Sequence, residues 1–546
     1  MYRYCLIPLL CFVLSCNKEH PDNLNGEIVI DSVFVNNVYV ANKSSLSNVD
    51  YKRVEIKIHF QSAVDTLDFI RKKLFITGGI DTNYLYSFDD NRRNLRAVIT
   101  NGLEGLTTYR MQFDQGSNLG GRINESYSVV FITNLDDTPK FPEISEDSLL
   151  TLTEQRTFAY FWDYGHPVSG LARDRLGGGD VVTSGGSGFG ILAILTGINR
   201  GFITRQEGFE RISNMVNFLA DPETDKFHGA FPHWLNGSSG TSIPFSQKDN
   251  GGDLVETAFL MQGLLTAKEY FINGSQEEQS LCDTIQKMWE NVEWDWYRNN
   301  GQEKLFWHWS PNYNWDMNMP VTGWNEAMLV YILAASSPTH SIEKSVYVNG
   351  WARNGAIKNG NSYYGIELPL GESYGGPLFF AHYSFLGLDP RNLSDEYADY
   401  WQQNTAHAKI NYQYCVTNPR KYPGYSSKCW GLTASDIPDG YTASSPNNDV
   451  GVIAPTAALS SFPYTPAESM EALKFFYYVL GDKIWGTYGF TDAFSLKEKW
   501  FATSYLAIDQ GPIICMIENY RTGFLWDLFM SNNEIKAGLT KLGFSY

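Results

Sequence analysis

Hydrophobic and polar positions follow two different periods along the chain. From Glu27 to about Asp137 the pattern is that of strands. Val54-Glu55-Ile56-Lys57-Ile58-His59-Phe60 alternates strictly, and Tyr127–Thr133 is rich in β-branched and aromatic residues. Gly78-Gly79, Asp89-Asp90-Asn91 and Gly120-Gly121 punctuate the runs as turns. The economical arrangement is a small immunoglobulin-like β-sandwich domain over residues 27–140. Asp136-Asp137-Thr138-Pro139, followed by Pro142, marks the linker that closes it.

After Ser145 the period becomes helical. Six segments are apolar nearly all round, at residues 188–198, 254–270, 327–335, 377–386, 452–462 and 512–520, and such helices must be buried on every side. More polar, amphipathic stretches separate them, at 153–162, 205–219, 276–289, 394–413 and 466–480. This succession of helical hairpins predicts an all-α fold for residues 146–546: an (α/α)6 barrel with six inner helices ringed by outer ones. Inner helices of such a barrel run the same way and bring their N-termini to one face. The segments leading into them read Ser187-Gly188-Phe189, Asp249-Asn250-Gly251-Gly252-Asp253-Leu254-Val255-Glu256, Thr322-Gly323-Trp324-Asn325-Glu326, Tyr374-Gly375-Gly376, Asn448-Asp449-Val450-Gly451 and Ile508-Asp509-Gln510-Gly511-Pro512. Carboxylates, glycines and aromatics thus converge on one rim.

Composition narrows the partners. The 546 residues are 43% apolar, 15% aromatic and 19% charged, which excludes a disordered or coiled-coil chain. The net charge of −18 repels phosphate backbones, so no nucleic-acid partner is expected. All 15 Trp lie from Trp162 onward, which leaves the N-terminal sandwich without an indole for carbohydrate binding. The nine His form no HExxH motif and the Cys no CxxC pair, so neither a metal nor a cofactor is expected.

The first residues are an export signal. Arg3 is followed by an apolar run at 5–14, too short to span a bilayer, and by Val13-Leu14-Ser15-Cys16, which resembles the bacterial lipobox. Residues 1–16 are therefore expected to end in cleavage before Cys16 and lipidation of its thiol. Residues 17–26 then form a tether, with the protein an exported lipoprotein of the outer membrane, on its periplasmic or cell-surface face. The anchor would be the sole membrane contact, and the body a monomer. Cys415 and Cys429 could pair in that oxidising compartment or remain buried thiols.

Hydrolysis of a glycosidic bond needs one carboxyl to protonate the departing oxygen and a second to activate water. Asp249, Asp253, Glu256, Glu326, Asp449 and Asp509 exceed that need, so several are structural. Asp253 and Glu256 have the spacing of a capping box, and acids in a first helical turn gain about 0.3–1 kcal/mol from the helix dipole. Glu326 opens a wholly apolar helix beside Trp324. Crowding raises the pKa of the most buried acid, which suits a general acid, whereas a solvent-linked carboxylate such as Asp509 suits a base. Phe231-Pro232-His233-Trp234 and Phe306-Trp307-His308-Trp309 fall on loops overlooking the rim, where indole faces stack on pyranose rings. His233 and His308 are candidates for hydroxyl contacts or for structural roles. Arg173, Asp174, Asn325 and Tyr374 complete the candidate sugar contacts.

The combined motifs, with Phe158 to Trp162, Ala507-Ile508-Asp509-Gln510-Gly511-Pro512 and Gly376-Pro377-Leu378-Phe379, resemble the glucoamylase-like domain of glycoside hydrolase family 144 over about residues 148–546. The resemblance implies an α/α barrel that cleaves β-1,2-glucan with inversion, giving sophorose and longer sophorooligosaccharides. It implies that Asp249, Asp253, Glu256 and Glu326 line the site, with Glu326 as acid and Asp509 in the place of the base. Another glucan specificity on the same scaffold, or a non-catalytic glycan-binding lipoprotein, are the competing expectations.

Overall fold

In the computed structural model the described residues are 26–67, 70 and 84–546; the signal segment with Cys16, nearly all of the tether and the Gly78-Gly79 turn lie outside them. The chain divides into two compact units between Asp137 and Thr138.

The first unit is built from β1 (Glu27–Ile28), β2 (Ile30–Val35), β3 (Val38–Val40), β4 (Ser44–Val49), β5 (Val54–Phe60), β6 (Tyr84–Phe88), β7 (Asn94–Ile99), β8 (Thr108–Phe113), β9 (Arg122–Ile123) and β10 (Tyr127–Thr133). One sheet has the order β3-β2-β5-β7-β6 and a second the order β4-β10-β8, with β4 parallel to β10. The alternation in β5 dictates the register: Val54, Ile56, Ile58 and Phe60 face inward and join Tyr109, Met111, Val129 and Phe131 of the second sheet in one core. Outward-facing Glu55 receives Arg96 Nη2 at 2.7 Å and pairs with Lys57, and these hydrogen bonds hold its carboxyl down at about 2.

The second unit carries α1 (Glu146–Trp162), α2 (Ser184–Asn199), α3 (Arg205–Ala220), α4 (Leu254–Phe271), α5 (Gln276–Glu290), α6 (Met328–Ser336), α7 (Tyr400–Thr417), α8 (Pro455–Leu459), α9 (Pro466–Lys474), α10 (Ala507–Thr522), α11 (Phe524–Ser531) and α12 (Asn533–Leu542). The polar helices α3 and α5 start with complete capping boxes, Thr204 with Glu207 and Ser275 with Glu278. In the apolar ones burial runs round the whole circumference, as in α2 from Ser184 to Gly197. Glycine makes their approach close: a methyl placed on Gly188 of α2 would fall 2.1 Å from the Phe259 carbonyl oxygen of α4, and one on Gly263 of α4 2.2 Å from that of Gly188. At the far ends of these helices Arg521 bonds Glu154 and Arg200 bonds Glu518, while Asn199 Nδ2 donates to Glu518 at 2.9 Å, which ties α1, α2 and α10 together.

The sequence expectations fail at three of the helical segments. The segment 377–386 is two 3-10 turns, Leu378–Ala381 and Tyr383–Phe385, because Gly375 and Gly376 enter with positive φ, Pro377 follows, and His382 breaks the run at φ −114°. The fifth apolar segment is α-helical only over Pro455–Leu459. The amphipathic stretch from 394 becomes a helix only at Tyr400, capped by Asp399, which accepts from the Gln402 N–H. Nor is the unit purely helical, since short ribbons such as Val181–Thr183 with Trp234–Asn236, and Gly252–Asp253 with His308–Trp309, line the starts of α2 and α4.

Candidate active site

The site grows from the start of α4. Asp253 is its N-cap, with Oδ1 accepting from the N–H groups of Val255 at 3.0 Å and Glu256 at 2.9 Å. Its Oδ2 accepts from the Trp307 indole at 3.2 Å and lies 3.4 Å from His233 Nδ1. The capping box is only half built, because the Glu256 side chain leaves its own helix. Its Oε2 accepts from the Gly185 N–H at 2.9 Å and from Thr183 Oγ1 at 3.3 Å, at the positive end of α2.

Three acids share this region with one cation. Burial, then the attraction of Glu256, Asp253 and Asp249 acting against it, leaves His233 with its pKa raised to about 9. An imidazolium therefore balances the cluster. Burial raises Glu256, with His233 pulling it down and Asp253 pushing it up. Asp249 is pushed up to about 7, first by burial and then by Asp253. Glu326, in the turn before α6, keeps part of its surface accessible. Desolvation pushes it to about 7 against a pull from its own backbone N–H, and Glu256 and Asp253 add smaller pushes. A carboxylic acid poised at neutrality can donate a proton.

His233, Asp249 and Asp253 place ligand-type atoms within 4.8 Å of one another. Asp253 has committed Oδ1 to the helix cap, and His233 offers no lone pair at Nδ1 while that nitrogen carries its proton to Asp253. As they stand, the three form an ion-paired cluster rather than an open donor set. His308 Nε2 accepts from the Gly251 N–H at 3.3 Å and lies 3.1 Å from Asp249 Oδ1, while burial keeps its imidazole neutral.

Asp509 differs from expectation. It is 1% exposed, neither of its oxygens meets an N–H or O–H donor among the described residues, and burial followed by Asp492 and Asp436 pushes its pKa well up. It is not a solvent-linked carboxylate. Its neighbours Asp436 and Asp492 lay in loop and ribbon sequence that carries no helical signal, and only the fold brings them together. Tyr383 joins the two halves of the site, since its hydroxyl is in electrostatic reach of Asp509, Glu326 and Glu256 alike. Asp449 is structural: it accepts from Tyr425, Tyr414 and the Gly451 N–H at 2.8, 3.0 and 3.0 Å.

The aromatic candidates separate. Trp234, Trp307 and Trp309 are half-buried; Trp234 donates its indole N–H to Asp174 Oδ1 at 3.1 Å, and Trp309 packs on Trp296 and His228. Phe231 is 1% exposed and belongs to the core, so it makes no sugar contact. Trp324 is corrected likewise: it is 7% exposed, packs against Gly371, Trp351 and Tyr400, and supports Glu326 from behind. Asn325 spends Oδ1 on the Ala327 N–H at 2.9 Å. Arg173 is held by the Tyr164 carbonyl at 3.2 Å and lies over the Tyr164 ring. Tyr374, at φ 64°, sits in a tyrosine cluster with Tyr363 and Tyr414. Cys415 and Cys429 are buried free thiols. No helix of the described residues is long and apolar enough to cross a membrane.

A family model described as "Putative glucoamylase" matches residues 318–533. The chain is 54% identical to the endo-β-1,2-glucanase from Chitinophaga pinensis, whose complex with sophorotriose and glucose is solved. That match covers 74% of this chain and 99% of that one, with a TM-score of 0.72. The chain belongs to glycoside hydrolase family 144. A second family structure, the β-1,2-glucanase from Parabacteroides distasonis, is 37% identical over 94% of this chain and 73% of its own, with a TM-score of 0.71. The exo β-1,2-glucooligosaccharide sophorohydrolase (non-reducing end) of Parabacteroides distasonis is 45% identical over 421 residues. That match covers 73% of this chain and 58% of the relative's own length.

Proposed function

We propose that the protein is an inverting glycoside hydrolase that cleaves β-1,2-glucosidic bonds in β-1,2-glucan or sophorooligosaccharides and releases sophorose or short oligosaccharides. The observation that carries this reading is Glu326: the carboxyl of a half-buried residue, held near neutrality by desolvation with Glu256 and Asp253 adding to the push. The names of the relatives supply the linkage, since both an endo-β-1,2-glucanase and a sophorohydrolase align with this chain. Glu326 acts as general acid. Glu256, Asp253 and Asp249 tune it, with Trp234, Trp307 and Trp309 as stacking surfaces. Water is activated on the side of Asp509, and inversion follows because water attacks the face opposite the leaving oxygen.

The reading extends to architecture and address. The helical unit is an (α/α)6 barrel in which the 3-10 segment from 378 to 385 and α8 stand as its fourth and fifth inner elements. The first unit is an immunoglobulin-like sandwich, and the mature chain is a monomeric lipoprotein anchored through Cys16 in the outer membrane.

The test is a time-resolved product profile on linear β-1,2-glucan with NMR of the first anomer formed. α-Anomeric sophorose or short sophorooligosaccharides support the reading. The β-anomer as first product overturns inversion, and products only from another glucan overturn the linkage. The variant Glu326→Gln is expected to lose about 10²–10⁴ of kcat with substrate binding retained.

A further inference from the structure

Asp492 takes part in none of the roles assigned so far, yet it is the residue that Asp509 faces. It is held from two sides: Oδ2 accepts from the Asp436 N–H at 2.6 Å, and its own N–H donates to the Ser504 carbonyl at 3.0 Å. Asp436 in turn receives Ser504 Oγ at 2.6 Å and lies 3.4 Å from Arg175 Nη1. The remaining Asp492 oxygen, Oδ1, and both oxygens of Asp509 are buried with no N–H or O–H of the described residues directed at them. The two side chains lie against each other.

Two ionised carboxylates in that position would repel in a water-poor setting and leave three acceptor atoms without a donor. A single proton between them reduces both penalties, because it links two of the three oxygens and halves the charge. Around the pair, burial favours protonation most and the Asp436 carboxylate adds to it, the Asp436 N–H on Asp492 and the Arg175 charge oppose it, and Tyr383 and the 49%-exposed Tyr441 contribute neutral phenols.

We propose that Asp492 is a positioning residue for the hydrolysis: it shares one proton with Asp509, and the pair, carrying one negative charge, is the base that receives the proton of the attacking water. This rests on the functional reading above. In the step, water oxygen bonds to the anomeric carbon as the glycosidic C–O bond breaks. The leaving oxygen takes the proton of Glu326, and the proton of water passes to the pair. The pair ends doubly protonated and Glu326 ionised, and one proton returns through solvent.

The decisive comparison is the pH–rate profile of Asp492→Asn against the wild type on sophorooligosaccharides. The acid-side limb reports the second protonation of the pair. At that step the partner already holds the shared proton and stabilises the monoanion, so removing it is expected to move that limb about one unit or more to higher pH. It should also lower kcat about tenfold or more with KM within about twofold. A purely structural Asp492 would lower the rate and leave the limb in place, which overturns the proposal. Infrared difference spectra at pH 9 give a readout without substrate. The carbonyl stretch of one buried protonated carboxyl is expected in the wild type and absent from both Asp492→Asn and Asp509→Asn, and persistence in both variants overturns the shared proton. If neither variant folds, absence of that band from the wild type at pH 9 does the same. Should no β-1,2-glucan be cleaved, the functional reading falls, while the infrared result still decides on the proton.

Discussion

Glu256 on α4 places its carboxylate against the Gly185 N–H of α2, 2.9 Å away, and not on the N–H of its own capping residue. The Asp253 N–H is already taken by the Phe231 carbonyl at 2.9 Å. One side chain therefore joins the starts of two buried helices and lends its charge to Glu326. Glu256→Gln keeps an acceptor for Gly185 but removes the charge, so Glu326 should hold its proton less tightly. The alkaline limb of the rate profile is expected to shift to lower pH, and an unshifted limb refutes the coupling.

Asp253 serves as cap and as charge, and two variants separate the roles. Asp253→Asn retains the cap through Oδ1 but loses the acceptor for the Trp307 indole and the His233 ion pair, so it should lose some thermal stability while the alkaline limb moves down with that of Glu256→Gln. Asp253→Ala strands the same indole and should in addition lose about 1 kcal/mol from the cap. Equal melting curves for the two variants would contradict the cap.

Stability should fall on the alkaline side. Asp249 and Glu326 rise from ordinary values of 3.8 and 4.5 to about 7, and His233 from 6.5 to about 9. In each case the folded state binds the proton more tightly than the unfolded chain, so the contribution is fully present below the ordinary value and is lost as pH rises through the folded one. Between pH 6 and pH 9 the helical unit should lose thermal stability, as followed by calorimetry. Glu55 in the first unit has the opposite sign: held down at about 2, it contributes above its ordinary 4.5 and is lost as pH falls through about 2.

His233 is the cation that lets three acids share one site. His233→Gln removes that charge, so Asp249 and Glu256 should stay protonated to higher pH and kcat/KM should fall about tenfold or more. A rate within twofold of the wild type across pH 5–8 would show that the acids do not depend on it.

Much of this was legible in the chain. The strict alternation of Val54 to Phe60 gave a strand with the right face inward, and the apolar runs around Gly188 and Leu254 gave fully buried helices whose approaches hold Asp249, Asp253 and Glu256. Other features were hidden for physical reasons. Residues 377–386 have a helical composition, but two glycines with positive φ and a proline set the backbone before composition can act. Trp324 resembles a sugar platform until its ring is found packed on Gly371 and Tyr400. Asp436 and Asp492 sit far apart in sequence on short ribbons and loops, so only tertiary contact reveals their meeting with Asp509.

The seam between α2 and α4 has a mechanical consequence. Where Gly188 meets Phe259 and Gly263, backbone lies on backbone, and no rotamer can adjust there to absorb sliding. The heights of Gly185 and Glu256 are thus locked as in a keyed shaft. Warming cannot gradually misalign the acids along this seam. Their spacing should hold until the helices part altogether, so that activity and structure disappear over the same narrow temperature interval.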